Sequence, residues 1–519
     1  MATKSLSLAA LDRDVLHTIF DEVNYMLRFD QGIIAVRLGL LPLSGTCKRL
    51  REIIAPSIFR RVRNLTRYIY QGDHIPGNDY WPPSIWKYIE IVYIYGRSAR
   101  EIETFEVFAP IIPQLPYLKQ VHFQIDATPP EVLLRATAAA GISSLEFTHV
   151  RLDGPPLTDI FSRLKLTHLL LTVSGWRPRD LNAPEELKYV AHILPMLSTT
   201  LTYLKISGDL LGFETLARLD WPCLSTLTLI DRIPDGQHMP LPTVISHMPR
   251  LRNLHYNFSA TSEKRIPPII YWPDSLGAPS LSVTHPQLVS LSMSNIHPTE
   301  HALDKLPESL RSLRILALRE RGQQSLEGPW YPFSPLRETD ALQIIAKAAL
   351  LPDLIDLSLT LVDLPSPTVI EAIAKSCPGL QFLEISQGDY EHNHTESPYL
   401  LESLAKSLAQ MRHLRELRIS VGFGPQYIGS RFRGLLDKTP LYDRMDTAAN
   451  IFAQRLENLS VLSFSFANDG DYGGLEGHVI WYRYGIVSGV DGRPPVAKWD
   501  LAFPYEVSSE PDSRICGFA

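Results

Sequence analysis

A six-residue motif, apolar-x-x-apolar-x-apolar, returns along most of this chain and limits what it can fold into more than any other feature. Its first positions are Leu118, Ile142, Leu166, Leu201, Leu224, Leu251, Leu288, Leu313, Leu354, Leu380, Leu414 and Leu459. Trp86, Ile89 and Ile91 read as a degenerate earlier copy. The intervals are 24, 24, 35, 23, 27, 37, 25, 41, 26, 34 and 45 residues, which start within the period of a leucine-based repeat and lengthen by insertion. In six of the twelve copies a proline stands two residues before the first apolar position, at Pro116, Pro222, Pro249, Pro286, Pro352 and Pro378. Proline cannot continue a helix, so each marks the end of one and the start of an extended segment. Leucine supplies 75 of the 519 residues. A chain of that length exceeds one ordinary core, but a stacked array escapes the limit because each unit buries its leucines on its neighbour.

Between the strand-like motifs lie stretches of helical period, among them 131–140, 185–194, 368–375, 400–409 and 446–456. Strand followed by helix, repeated, predicts an α/β leucine-rich-repeat solenoid with parallel strands on the concave face and helices on the convex one. Side chains alternate along a strand, so the residues between the apolar ones are expected on the concave surface. Candidate partner contacts there are Tyr203, Lys205, Asn253, His255, Glu384, Glu416 and Arg418, with Ile315 and Ala317 on the same face. The long insertions after strands carry Trp272, Trp330 and Tyr331. Such rings either anchor a protein partner or pin the loop to the scaffold.

Ahead of the array, Leu11, Val15, Ile19 and Val23, flanked by Leu16, Phe20 and Leu27, repeat at helical spacing with Asp12 as N-cap. A second helical stripe runs Leu43, Cys47, Leu50 and Ile54, begun near Ser44 or Thr46 and stopped by Pro56. Residues 1–70 hold 11 Lys and Arg against 6 Asp and Glu, a local +5, whereas the whole chain is −6, which leaves −11 for the rest. That asymmetry predicts two functional parts. The stretches Leu11-Asp12-Arg13-Asp14-Val15-Leu16-His17-Thr18-Ile19-Phe20, then 41–51 and 57–62, resemble an F-box. The resemblance implies docking on the adaptor subunit of an SCF-type (Skp, cullin, F-box) ubiquitin ligase and, through it, on the cullin. The positions matching the family's docking residues are Leu11, Val15, Leu16, Ile19 and Phe20, then Leu43, Cys47 and Leu50. A small module cannot bury all of these alone, so either the adaptor or the following repeats cover them. Cys377-Pro378-Gly379-Leu380 is similar to the cysteine-bearing repeats found behind an F-box.

In the tail, 479–487 and 496–501 read as two strands joined by Gly and Asp turn residues, a β-hairpin cap over the last repeat. The expected organisation is a helical module at 1–66, a solenoid at 67–470 and a β cap at 471–519. No catalytic or metal-ligating constellation is evident: His392 and His394 lack further ligands, and no G-x-S-x-G or H-E-x-x-H occurs. No cofactor is expected and the chain reads as a non-enzyme. Four scattered cysteines, no signal peptide at the start and no long apolar run predict an intracellular protein off the membrane. A net charge of −6 points away from nucleic acid. The function so implied is the substrate receptor of an SCF ligase, the solenoid holding an unknown protein substrate. The alternative is a repeat scaffold that never meets a ligase.

Overall fold

The computed structural model of the chain describes residues 11, 12, 15, 16, 19, 47–63, 81–96, 108–173, 183–231, 239–259, 270–273, 277, 279–297, 300–318, 335–388, 401–423, 439–467, 479–487, 494–499 and 505–507. They fall in two compact units, Met1–Ile206 and Ser207–Ala519. In the first, the strands β1 (Arg61–Arg63), β2 (Ile91–Gly96), β3 (Gln120–Ile125), β4 (Ser144–Thr148), β5 (His168–Thr172) and β6 (Tyr203–Ser207) run parallel in chain order. Their register puts the motif residues in columns: Val92, Val121, Leu145, Leu169 and Leu204 pair in turn, and all are fully buried. The helices α1 (Lys48–Phe59), α2 (Glu131–Ala139), α3 (Thr158–Phe161) and α4 (Ala183–Leu197) belong to the same unit.

The second unit repeats the plan with β7 (Thr226–Asp231), β8 (Asn253–Phe258), β9 (Ser290–Ser294), β10 (Ser312–Leu316), β11 (Asp356–Leu361), β12 (Phe382–Gln387), β13 (Glu416–Ile419) and β14 (Val461–Ala467), all parallel. Its helices are α5 (Phe213–Arg218), α6 (Leu241–Ile245), α7 (Leu281–Thr284), α8 (Glu338–Ala348), α9 (Pro367–Ser376), α10 (Leu401–Leu408) and α11 (Thr439–Arg455). The ladder then reverses direction. β15 (Val479–Val487) pairs antiparallel with β14, and β16 (Val496–Trp499) and β17 (Tyr505–Val507) both pair antiparallel with β15. One sequence step, a strand whose alternate leucines face a helix, thus recurs as an α/β leucine-rich-repeat solenoid.

The six prolines act through one local device. The first motif leucine donates its N–H to the carbonyl three residues back: Leu118 to Leu115, Leu224 to Trp221, Leu251 to Met248, Leu288 to His285, Leu354 to Leu351 and Leu380 to Cys377. Proline therefore sits second in a four-residue turn, where its fixed φ suits the backbone and its missing N–H is not needed. Leu414 and Leu459, which lack the proline, make the same bond to Met411 and Leu456.

Several expectations are corrected. The earliest copy is Ile89, Val92 and Ile94, three residues on from Trp86, Ile89 and Ile91, because Val92 and Ile94 are the apolar side chains buried in β2. The copy placed at Leu313 begins at Leu310, with Leu313 and Ile315 inward, so Ile315 is core and Ile315 and Ala317 leave the candidate face. Both segments are apolar in either frame, and only strand pairing selects one. Pro56 does not stop α1, which continues to Phe59. Pro56 is exposed, so the carbonyl it leaves without a helical donor faces water, and Ile58 beyond it is buried in the same cluster as Ile53 and Ile54. The residue capping α1 is Cys47, with no side-chain bond. α8 lacked any sequence expectation, because the preceding insertion obscured where its repeat restarts.

Candidate functional site

The N-terminal candidates gather around one small core. Leu16, Leu50, Ile53, Ile54 and Ile58 form a buried cluster, against which Leu11, Cys47 and Phe59 are partly buried. Val15, Leu16 and Ile19 are helical, and Leu16 N–H donates to the Asp12 carbonyl at 3.0 Å, the first bond of the turn. Arg49 Nη2 ties this turn to α1 through the Leu11 carbonyl at 2.9 Å. Helical spacing puts Leu16 fully inside and leaves Val15 46% exposed, with Ile19 half-buried. Phe20 and Leu43 lie outside the described residues.

Hydrogen bonds and ion pairs join the end of α1 to the repeats of its unit. The Arg60 carbonyl at the end of α1 accepts from Glu90 and Ile91 N–H at 2.9 and 3.0 Å. Arg60 Nε and Lys119 Nζ reach the Glu90 carboxylate at 3.3 and 3.0 Å. Burial pushes the Glu90 carboxyl up, and Lys119 and Arg60 together outweigh it and hold the group below its usual range.

The strand face of the first unit is aromatic and partly open. Tyr93 and Tyr95 on β2 stack at 6.1 Å, and His122 on β3 lies 5.1 Å from Tyr93 and 6.3 Å from Tyr95. Glu146 on β4 follows in register, 3.6 Å from His122 Nε2, which is also 3.0 Å from Thr148 Oγ1. Gln120 Nε2 donates to Glu146 at 3.3 Å. Farther along, Tyr203 stacks on His168 at 5.7 Å, whereas Lys205 is buried. Tyr93, Tyr95, His122 and Glu146 were missed by sequence reasoning; the correct frame of the Ile89 copy would have put both tyrosines outward.

Burial first, and His149 second, hold the His122 imidazole down to about 4, despite Glu146 beside it. With its folded pKa below the ordinary 6.5, His122 supports the fold fully above that value and progressively less as pH falls toward 4. Tyr93, Tyr95, Thr148, Glu146 and His149 are the groups around it. His122→Gln is therefore expected to flatten the loss of melting temperature between pH 6.5 and 4.5. An acid limb that stays as steep in the variant would assign the loss elsewhere.

On the second unit the remaining candidates are mostly enclosed. Glu384, Glu416 and Arg418 come together: Arg418 Nε is 3.2 Å from Glu416 and its Nη1 3.8 Å from Glu384, with the guanidinium 5.8 Å from the Phe382 ring and 5.6 Å from Trp481. The Arg314 guanidinium, also 5.8 Å from the Phe382 ring, is paired to Asp356 at 2.8 Å. His255 is buried, and Asn253 Nδ2 donates to Thr226 Oγ1 at 3.1 Å. Trp272 is 2% exposed, and with Tyr271 it is held by its backbone N–H on the Glu300 carboxylate at 3.0 and 2.6 Å. Glu300 also accepts from Ala302 N–H at 2.8 Å, and burial pushes its carboxyl up against these three donors. The Trp272 ring thus secures its insertion to the scaffold. Trp330 and Tyr331 lie outside the described residues. Among the described residues no group of three or more His, Cys, Asp or Glu could hold a metal ion, and no helix is long and apolar enough to cross a membrane. Burial pushes the Cys377 thiol up to about 11, away from nucleophilic use.

No family model matches the chain, and no curated protein does. Solved structures do resemble it. The leucine-rich repeat-containing protein LegL7 from Legionella pneumophila is 14% identical, with 63% of this chain and 84% of that one covered and a TM-score of 0.32. An internalin (inlF) from Listeria monocytogenes is 14% identical over 79% of this chain and 98% of its own, with a TM-score of 0.32. A chain from the Rad7 and Elc1 complex in yeast is 13% identical over 82% and 92%, with a TM-score of 0.35.

Proposed function

We propose that this chain is the substrate-recognition subunit of an SCF-type ubiquitin ligase. Residues 1–66 dock on the adaptor and, through it, on the cullin; the repeats at 67–470 hold a protein substrate, and the β cap at 471–519 closes the last repeat. The chain performs no chemistry itself and works inside the cell. It raises the effective concentration of substrate near the transfer site. One observation carries this reading: the described residues of the segment that resembles an F-box gather on a small apolar core and leave Val15 half exposed, with Leu11, Ile19 and Cys47 partly buried. That arrangement offers an apolar strip next to a stable support, which is what a docking helix needs. The bonds from Arg60 to Glu90 and Ile91 would hold the strip at a set angle to the first unit's strands.

Val15→Asp tests it, since the change places a charge on the exposed strip without entering the core. The wild-type chain is expected to co-purify with the adaptor, and the variant to lose at least about tenfold in affinity with an unchanged melting temperature. A wild-type chain that never retains the adaptor leaves the independent repeat scaffold as the function.

A further inference from the structure

We infer that the strand-entry side of the second unit is a docking track for an extended acidic segment of the bound protein, whose carboxylates meet Arg252, Arg311 and Arg415. Each of these arginines stands immediately before a strand, and parallel pairing sets them in one row: Arg252, Val289, Arg311, Ile355, Gln381 and Arg415 precede β8 to β13 in turn. The backbone fixes the row. The Arg252 carbonyl accepts from Val289 and Ser290 N–H at 2.7 and 3.0 Å, that of Arg311 from Ile355 and Asp356 at 2.9 and 3.0 Å, and that of Arg415 from Ser460 and Val461 at 2.8 and 3.1 Å. With neighbouring strands roughly 4.8 Å apart, Arg311 lies about 9.6 Å from Arg252 and Arg415 about 14 Å farther on. An extended chain of roughly seven or eight residues covers that span.

All three arginines are exposed, and their side chains make no hydrogen bond or ion pair with a described residue. Helix ends do not account for them. Each stands six or seven residues past the helical segment before it, whereas Lys375 and Arg455 occupy the last helical turns, where a cation offsets the helix dipole. Nor do they follow the charge of their unit: residues 207–519 hold 27 Lys and Arg against 36 Asp and Glu, a balance of −9, yet the row has three cations and no acid. Arginine also suits the guest, because its fork of N–H donors matches a carboxylate. Half-buried Val289 and Ile355, 37% exposed, stand between the arginines. Charge interspersed with apolar surface fits a peptide, whose side chains meet both, better than the evenly charged backbone of a nucleic acid. The proposal rests on the ligase-receptor reading only in calling the occupant a substrate.

The test uses the full chain and three labelled probes, acetyl-(Glu-Thr)4-amide, acetyl-(Gln-Thr)4-amide and an oligothymidylate of the same length, read by fluorescence anisotropy. The acidic peptide is expected to bind about tenfold more tightly than the glutamine peptide, and more tightly than the oligonucleotide. Arg252→Gln, Arg311→Gln and Arg415→Gln combined are expected to remove about that tenfold, since each exposed pair contributes modestly. Arg163→Gln with Lys165→Gln, exposed on the first unit, is expected to leave the affinity unchanged. No binding of the acidic peptide, equal binding of the two peptides, tighter binding of the oligonucleotide, or unchanged affinity in the triple variant would overturn the track. An equal loss in the first-unit variant would overturn it too, as general attraction to cations. Adaptor co-purification is measured on the same preparations: adaptor retained with no acidic preference sinks the track alone, whereas acidic preference without adaptor sinks the ligase reading alone.

Discussion

Arg418→Ala is expected to destabilise the second unit by about 3–5 kcal/mol, seen as an early denaturant transition of that unit. Arg418 is 5% exposed, shared between Glu384 and Glu416, and packed against Phe382 and Trp481. Removing it takes the guanidinium away from two carboxylates on a mostly enclosed face, and the loss of a charged partner in such a place is what makes the effect large. Removing all three charges together, as Arg418→Met with Glu384→Gln and Glu416→Gln, is expected to recover much of it, because no uncompensated charge then remains. Should Arg418→Ala melt like the wild type yet lose a protein partner, Arg418 would be a recognition residue after all.

The second large effect is expected at the opposite end of the chain. Leu16→Asp puts a carboxylate into the cluster of Leu50, Ile53, Ile54 and Ile58, where Leu16 is fully buried. Lost apolar contact and the cost of a buried charge add to about 4 kcal/mol or more, enough to melt so small a core. Hydrogen exchange should then show α1 amides unprotected, with damage reaching β2, since the backbone bonds from Glu90 and Ile91 to Arg60 join its start to the end of α1. Adaptor retention would fall as well, but as a consequence of unfolding. Comparison with Val15→Asp separates the cases: loss of adaptor with full α1 protection belongs to the surface position, and loss of both belongs to the buried one. If α1 keeps its protection in Leu16→Asp, the cluster is not the support it is taken to be.

The repeat was legible because its signals are local. Alternation of leucines along a strand, helical spacing between strands and proline in the turn before half of the strands are all properties of six to fifteen neighbouring residues, and they located β3 to β9 and β11 to β14. Frame was less legible. Around Ile89 and Leu310 every third residue is apolar in two frames, so the choice falls to the partner strand, which is remote in sequence. Of the candidate contacts, Tyr203 stays half-buried on the strand face, whereas Lys205, His255, Trp272 and Arg418 are enclosed. Alternation says that a side chain leaves the leucine side; it does not say whether other parts of the chain then cover it.

For the N-terminal segment the same division applies. Helical periodicity named Leu11, Val15, Leu16 and Ile19 as one set, since each lies on an apolar stripe. Only packing ranked them, sending Leu16 inward onto Ile53 and Ile54 and Val15 toward water. The cluster on the first unit's strand face is the extreme case: Tyr93, His122 and Glu146 lie 29 and 24 residues apart in the chain and meet only because parallel pairing aligns β2, β3 and β4. Periodicity along one segment can assign a repeat and its inward leucines. Juxtaposition across segments depends on register, and register is set by contacts between residues that share no local pattern.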